Sequence, residues 1–247
     1  MMNTSPVFRL CGLTAALVAL SVPLVAGAGV TGNVGVASQY IFRGGVENEN
    51  TAVQGGIDAS LPAGFYAGYW GSNLGDQTYA TNAFENDIYG GWTKEFGPVK
   101  LDIGALYYLY SKDTYGAGAT GDVLEPYVKV TFGPATLALH YFSDDVSWGN
   151  KGDIYTSLSA SHTIDKVTLG AVAGFNLWSD DDAGNPYSTW VTTEDNGFRH
   201  LDLSASVPVT DKSVMSVTYI VGGTDRTGTD IANKLVLGFK YNFEIAK

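Results

Sequence analysis

The chain has 247 residues, of which 25 are acidic and 14 are basic, so its formal net charge at pH 7 is −11. A protein this acidic is repelled by nucleic acid and by anionic lipid surfaces, which argues against both as general binding partners. Its single cysteine, Cys11, lies near the N-terminus in an apolar stretch, and this excludes a disulfide framework as the source of stability.

The first predicted element is a secretory signal peptide over residues 1–28. Arg9 precedes a long apolar run that closes on small residues, which is the layout of a cleaved leader. We predict cleavage between Ala28 and Gly29, so that the mature domain spans residues 29–247. An uncleaved membrane anchor is the alternative, and the small residues before the cut disfavour it. After the leader, no apolar stretch reaches the roughly 20 residues that a transmembrane helix needs.

The mature chain has the period of β-strands. Between Val99 and Tyr110 every second residue is apolar, as expected for a strand with one apolar face. About twelve such segments follow one another, each near the length of a tilted membrane strand. The links after strands two, four, six, eight and ten are tight, whereas the others are longer and polar. We therefore predict one all-β domain, a transmembrane antiparallel up-and-down β-barrel of about twelve strands, with short turns at the periplasmic end.

Strand one is predicted to end on the segment "YIFRGG". Aromatic residues of membrane barrels gather at strand ends, where they form girdles at the two interfaces. By the alternation of the strand, Tyr40 and Phe42 are expected to face lipid, and Arg43 to face the lumen at the extracellular mouth. Glu47 and Glu49 follow in the next loop, so Arg43 either anchors that loop or screens solutes.

Charged residues on the mixed face of each strand are predicted to face the lumen, because a lipid-facing Lys or Arg costs about 2–4 kcal/mol at the bilayer midplane. The candidate pore-lining residues are Arg43, Asp58, Lys100, Asp102, Glu125, Lys129, Asp202 and Lys240. Their alternating signs predict either a selectivity lining or a network of structural ion pairs, and structural pairing is favoured.

The longest predicted loop, residues 179–198, is a candidate constriction. If it folded into the lumen, its acidic side chains would favour cations; these are Asp180, Asp181, Asp182, Glu194 and Asp195. The alternative is a solvated extracellular loop that divalent ions bridge to lipopolysaccharide. The acidic triplet lacks the glycine and glutamate spacing of an EF-hand, so no calcium site is predicted there.

The positions of the three histidines indicate whether the barrel could be a lipid-modifying enzyme. His162 abuts a short turn, whereas His140 and His200 face the lumen and have no serine motif beside them. Nucleophilic catalysis needs a base in reach of a nucleophile, so catalysis is disfavoured. No cofactor or metal is expected. A non-conducting structural or adhesive barrel, whose loops bind a partner, stays open as an alternative.

A family resemblance is carried by "ASQYIFRGG" and "AVQGGIDASLPAGFYAGYWGSN", within residues 34–73. These stretches resemble the start of the TorF-type family of bacterial outer-membrane porins. The resemblance implies an outer-membrane pore for small hydrophilic solutes and supplies no catalytic residues. The expected partners are outer-membrane lipid, lipopolysaccharide and the barrel-insertion machinery, which would recognise a C-terminal strand ending at Phe243. Association into homo-oligomers stays open.

Overall fold

The computed structural model describes residues 29–76, 83–111 and 119–246. The predicted signal peptide therefore lies outside the described residues. The strands are β1 (Gly29–Ala37), β2 (Tyr40–Phe42), β3 (Gly45–Asn48), β4 (Ala52–Ser60), β5 (Phe65–Asn73), β6 (Phe84–Phe96), β7 (Val99–Tyr110), β8 (Val123–Phe132), β9 (Ala135–Tyr141), β10 (Ile154–Ile164), β11 (Val167–Leu177), β12 (Asn196–Pro208), β13 (Ser213–Gly222) and β14 (Lys234–Ala246). A single 3-10 turn covers Pro62–Gly64. Within the described ranges, no helix is long and apolar enough to cross a membrane.

Strands β1 and β4–β14 form a closed antiparallel barrel of twelve strands. Each strand from β4 to β14 pairs with its neighbour in the chain, and β1 closes the ring between β4 and β14. The predicted all-β antiparallel barrel is confirmed. The end of the last strand differs from the prediction, because β14 continues past Phe243 and Ala246 still pairs with Val30 of β1.

The connections separate into a short-turn end and a long-loop end, as the link lengths predicted. The tight turns after β4, β6, β8, β10 and β12 lie at one rim. Two of them need the left-handed backbone that glycine allows, since φ is 62° at Gly97 and 57° at Gly133. The links after β5, β7, β9, β11 and β13 are longer and join their strands at the opposite rim.

The outer face of the barrel is apolar, and the inner face carries most of the polar groups. Leu137 and Leu158 are directly paired across β9 and β10, and their side chains are 54% and 55% exposed on the outside. On the same strands, the inward-facing His140 and Tyr155 are buried. This inversion of a soluble protein's pattern is what a lipid-facing barrel requires, because lipid tails solvate apolar side chains.

A hydrophobic core lies inside the barrel and is built around a small hairpin, β2–β3. This lumen hairpin, residues 40–48, corrects the prediction for strand one. The barrel strand β1 ends at Ala37, and Tyr40 and Phe42 are 5% and 9% exposed inside the barrel, so they do not face lipid. The chain leaves the wall at Ser38, whose N–H donates to the carbonyl of Leu237.

The turn of the lumen hairpin depends on two residues with positive φ, 47° at Arg43 and 81° at Gly44. Phe42 and Gly45 pair across this turn, so the loop has two residues. Positive φ at both central positions is the mark of a type I′ hairpin turn, which matches the natural twist of the two strands. The "RGG" segment thus reverses the chain inside the barrel rather than releasing it into a rim loop.

Candidate functional site

The lumen hairpin contacts strands on different sides of the barrel, which places it in the lumen. The Tyr40 hydroxyl donates to Glu85 Oε1 of β6 at 3.2 Å. Arg43 Nη2 donates to Glu125 Oε1 of β8 at 2.6 Å. From β12, Arg199 Nε donates to the Arg43 carbonyl at 2.9 Å. Because β6, β8 and β12 are separated around the ring, the hairpin spans the interior at the long-loop end.

Glu125 is the carboxylate that gathers these contacts. Its Oε1 accepts from Arg43 at 2.6 Å, lies 2.6 Å from His140 Nδ1 and accepts from the Tyr108 hydroxyl at 3.3 Å. Glu125 is 0% exposed. Its second oxygen has no hydrogen-bond partner among the described residues. A buried carboxylate is tolerated only when it is paired with a cation or with donors, so Arg43 holds the position of the hairpin electrostatically.

Aromatic side chains close the space around the ion pair. The Arg43 guanidinium lies 4.0 Å from the centroid of the Tyr155 ring. Phe42 packs edge-on against Tyr108 and Trp148, with ring centroids 5.9 and 6.1 Å apart. These contacts combine a cation–π interaction with tight apolar packing. The long-loop half of the lumen is therefore filled by side chains in this structure.

A second buried group links β10 and β12. His200 Nδ1 lies 2.7 Å from Asp202 Oδ1, and His200 Nε2 lies 2.9 Å from the Tyr155 hydroxyl. His200 and Asp202 are both 0% exposed. A carboxylate, an imidazole and a phenol in line resemble the base half of a catalytic triad. Because the group is sealed from solvent and lipid, it acts as a structural contact between strands.

The short-turn half of the lumen holds most of the remaining predicted lining residues. Asp58 of β4 accepts a hydrogen bond from the Tyr89 hydroxyl. Asp102 accepts from the Tyr66 hydroxyl at 2.5 Å. The Lys129 ammonium lies 4.2 Å from the centroid of the Tyr127 ring, and Lys100 and Lys240 are partly exposed on the strands beside them.

The structure thus brings Arg43 and Glu125 together as an ion pair. It also gives the carboxylates of Asp58 and Asp102 a partner in the protein. Asp58 and Asp102 bond to tyrosines rather than forming ion pairs within 4.0 Å. Sequence reasoning missed those tyrosines, although their inward parity could have identified them. Whether these residues line a conducting path stays a prediction.

The opposite wall of the lumen, formed by β10–β13, has a different character. Tyr155, His200, Asp202 and Ile220 are buried on this wall. Many of its other inward side chains are small and carry hydroxyl groups, and several of these are partly exposed inside the barrel; they include Ser157, Ser159, Ser204 and Ser216. On the neighbouring strand β11, Gly170 contributes no side chain to this face. This part of the wall therefore presents hydroxyl groups to the interior of the barrel.

The acidic loop between β11 and β12 lies at the long-loop rim, and its role as a constriction stays a prediction. Asp180, Asp181, Glu194 and Asp195 are exposed. Asp182 is bound instead, since its Oδ1 accepts at 2.8 Å from Asn150 Nδ2 and at 2.8 Å from Thr192 Oγ1. These hydrogen bonds hold the loop against the neighbouring loop that contains Asn150 at the rim. The segment that occupies the lumen is the hairpin.

Arg226 joins three of the loops at the long-loop end. It donates to Asp153, lies 4.0 Å from Asp182 Oδ1 and covers the Trp190 ring at 5.0 Å from its centroid. Burial raises the pKa of Asp153, and the charge of Arg226 opposes that rise. Burial also acts to raise the pKa of Asp182, but hydrogen bonds from Thr192 and Asn150 lower it overall. In the described part of the chain, no group of three or more His, Cys, Asp or Glu residues is placed to hold a metal.

Comparison with known proteins supports the barrel fold. The chain is similar to the solved structure of a KdgM porin, with a TM-score of 0.55 and 8% identity, over 86% of this chain and 99% of that one. It is similar to the NanC porin, with a TM-score of 0.51 and 11% identity, over 87% of this chain and 100% of that one. For the COG4313 outer membrane channel from Pseudomonas putida F1, the TM-score is 0.52 at 9% identity, over 88% of this chain and 96% of that one.

At these identities the similarity establishes the shared fold. No curated protein sequence matches the chain at a significant level. The TorF-type assignment is untested by these matches and stays a prediction. The family model described as "Bacterial protein of unknown function (Gcw_chp)" matches residues 25–240, and the chain belongs to this family.

Proposed function

We propose that the protein is an outer-membrane channel of the porin type, through which small hydrophilic solutes or ions diffuse. The observation that carries this proposal is the hydroxyl-lined wall of β10–β13. Ser157, Ser159 and Ser216 are partly exposed inside a barrel whose outer face is apolar. A barrel that served only as a rigid anchor has no need of a polar surface on its inner side.

The width of the barrel agrees with a narrow pore. Barrels of about eight strands are filled by their own side chains, whereas those of 16 to 18 strands leave an aqueous channel, so twelve strands are intermediate. Two of the structural relatives are named porins, and a third is named an outer membrane channel. By analogy, we place this chain in the bacterial outer membrane, with the short-turn end toward the periplasm and the loops toward lipopolysaccharide.

The filled long-loop half of the lumen favours a second candidate, a structural barrel that does not conduct. Ile41 and Tyr108 are 0% exposed, which supports a tightly packed contact between the lumen hairpin and the wall. The two candidates predict different electrical behaviour. An enzymatic role receives less support, because His140 and His200 are buried and bonded to carboxylates.

Reconstitution of the mature protein into planar lipid bilayers tests the channel proposal. We expect discrete conductance steps from protein that shows the heat-modifiable gel mobility of a folded barrel. Heat-unfolded protein at the same concentration is the control for leakage by detergent or aggregates. Folded barrels that insert and remain silent, even after the lumen hairpin is removed, would contradict the channel and favour the structural barrel.

A further inference from the structure

We propose that the lumen hairpin is a displaceable plug, latched by Arg43 and Glu125, and that the pore it uncovers selects cations. This inference rests on the proposed channel function and adds to it a mechanism of opening and a class of solute. Three features of the structure carry it: the weak attachment of the hairpin backbone, the unsatisfied polar atoms at its contact with the wall, and the charges that the wall retains.

The backbone of the lumen hairpin is attached to the barrel far less than a barrel strand is. Strands β2 and β3 pair with each other and not with the wall. In the part of the chain that the structure describes, one backbone–backbone hydrogen bond joins the hairpin to the barrel chain, from Gly75 N–H to the Glu47 carbonyl at 2.8 Å, and the Arg199 side chain adds a bond to the Arg43 carbonyl at 2.9 Å. Departure of the hairpin therefore breaks no ladder of the barrel, and what holds it in place is the side-chain packing of Tyr40, Ile41 and Phe42 together with the Arg43 ion pair.

The contact between the hairpin and the wall leaves polar atoms unsatisfied. Arg43 Nε, Glu125 Oε2 and Asp87 Oδ1 are buried and have no hydrogen-bond partner among the described protein atoms. A buried polar group without a partner costs free energy that hydration recovers. Withdrawal of the hairpin would admit water to all three atoms. The plugged state consequently has a specific penalty that brings it closer in free energy to an open state.

The wall that faces the hairpin is acidic. Glu85 and Asp87 on β6 and Glu125 on β8 are buried behind it, and Tyr40 and Arg43 of the hairpin bond to two of them. When the hairpin leaves, it takes Arg43 and Glu47 with it, so it removes no net charge but uncovers the carboxylates of the wall that Arg43 and Tyr40 had covered. On the inner wall at this level and just below, five carboxylates then outnumber two permanent cations: Glu85, Asp87, Asp102, Glu125 and Asp202 against Lys129 and Arg199. Rings of carboxylates in a pore favour cations.

Removal of the hairpin is the first test. Ala37 and Ala52 are paired across β1 and β4, so an Asn-Gly turn can replace residues 38–51 without altering the barrel register. In planar bilayers we expect this variant to show long-lived open steps, whereas the wild type shows brief openings of lower average current. A hairpin-free barrel with the same conductance and open time as the wild type would overturn the plug.

A reversible lock is the second test, and it does not depend on a deletion that folds. A Cβ atom built on Gly44 lies 3.2 Å from the Cβ of His200, slightly closer than the separation of about 3.5–4.5 Å found in disulfides. Because φ is 81° at Gly44, any side chain strains this turn, and the matched serine pair controls for that strain. The chain has a single native cysteine, Cys11, which belongs to the predicted leader, so the engineered pair has no competitor among the described residues. We expect the oxidised Gly44→Cys/His200→Cys variant to show no conductance steps and a reducing agent to restore them. The conductance of the control variant, Gly44→Ser/His200→Ser, should change with neither oxidation nor reduction. Equal currents before and after reduction, with the disulfide verified by mass, would contradict the plug.

The latch and the selectivity are tested in the same bilayers. Arg43→Ala should raise the fraction of time spent open several-fold, whereas Arg226→Ala, which breaks an ion pair at the rim, should not.

In a KCl gradient, the reversal potential of the hairpin-free variant should favour cations, and Glu85→Gln/Asp87→Asn/Glu125→Gln should weaken that preference. An anion preference would overturn the cation assignment. If neither the wild type nor the hairpin-free barrel conducts, the channel proposal itself fails; if both conduct and the lock has no effect, only the plug fails.

Discussion

Arg43 and Glu125 are 82 residues apart in the chain, yet Arg43 Nη2 lies 2.6 Å from Glu125 Oε1 inside the barrel. Both side chains are buried, at 7% and 0% exposure. A buried ion pair adds little net stability over an apolar pair, but removal of one partner is costly because the other charge stays buried. The pair therefore specifies where the lumen hairpin sits more than it stabilises the barrel.

Energetic coupling between Arg43 and Glu125 should appear in a double-mutant cycle. Arg43→Ala and Glu125→Gln should each lower the free energy of unfolding in urea, measured with lipid vesicles. The double variant should lose less than the sum by about 0.5–3 kcal/mol, because each single change already abolishes the same interaction. Arg43→Ala combined with Asp153→Asn is the control, and these distant changes should add within about 0.5 kcal/mol. Additive losses of stability for Arg43→Ala and Glu125→Gln would show that the two side chains are not energetically coupled.

The cost of placing a charge on the outer face of β10 should depend on the depth of the substituted residue in the bilayer. Leu158 lies in the middle of the strand and Ile164 at its short-turn end, and both are exposed on the outside. We expect Leu158→Arg to lower the stability of the folded barrel in vesicles by about 2–4 kcal/mol, and Ile164→Arg by only about 0–1 kcal/mol. The same urea titration measures both. Equal costs at the two depths would argue that this face does not contact hydrocarbon.

The buried histidines should support the structure without supporting catalysis. We expect no phospholipid hydrolysis by the wild type, because His200 is sealed inside the barrel and bonded to Asp202 and Tyr155. His200→Ala should lower the free energy of unfolding by about 1–3 kcal/mol, since Asp202 then loses its partner. The exposed His162 offers the matched change and should cost little. Hydrolysis that disappears in His140→Ala or His200→Ala would restore the enzymatic alternative.

The loop contacts of Arg226 should depend on pH. Burial raises the pKa of the Asp153 carboxyl, and Arg226 opposes that rise. Removal of Arg226 raises the pKa further, so the ionised carboxylate is destabilised in the folded protein. The loss caused by Arg226→Ala is therefore fully present above the folded pKa of the variant. It fades as the pH falls from that pKa to the lower folded pKa of the wild type, because Asp153 is then protonated in both folded proteins.

Hydrogen exchange of residues 142–153 and 178–195 measures that dependence. Arg226→Ala should speed exchange there at pH 7 and have little effect near pH 3, after correction for intrinsic rates. Arg226→Lys is the control, because it keeps the charge and should preserve most of the protection. An equal effect at both pH values would mean that Arg226 acts through packing on Trp190 and not through the charge of Asp153.

Much of the fold could be predicted because each strand obeys a local rule. The alternation between Val99 and Tyr110 and the tight turns at Gly97 and Gly133 depend on residues close in sequence, and the structure confirms them. The assignment of Tyr40 and Phe42 to lipid was wrong because an aromatic side chain suits a membrane interface and a plugged lumen equally well. The type I′ turn at Arg43 and Gly44 was the local signal that could have shown the reversal.

The sequence by itself determined the antiparallel barrel, its strand number and the inward parity of its charges. These follow from a period of two and from the cost of placing charge in hydrocarbon. Only the tertiary structure decided which segment fills the lumen and which charge meets which. Closure of the ring brings β6, β8 and β12 around one hairpin, so the partners of Arg43 are set by the curvature of the barrel, not by spacing along the chain.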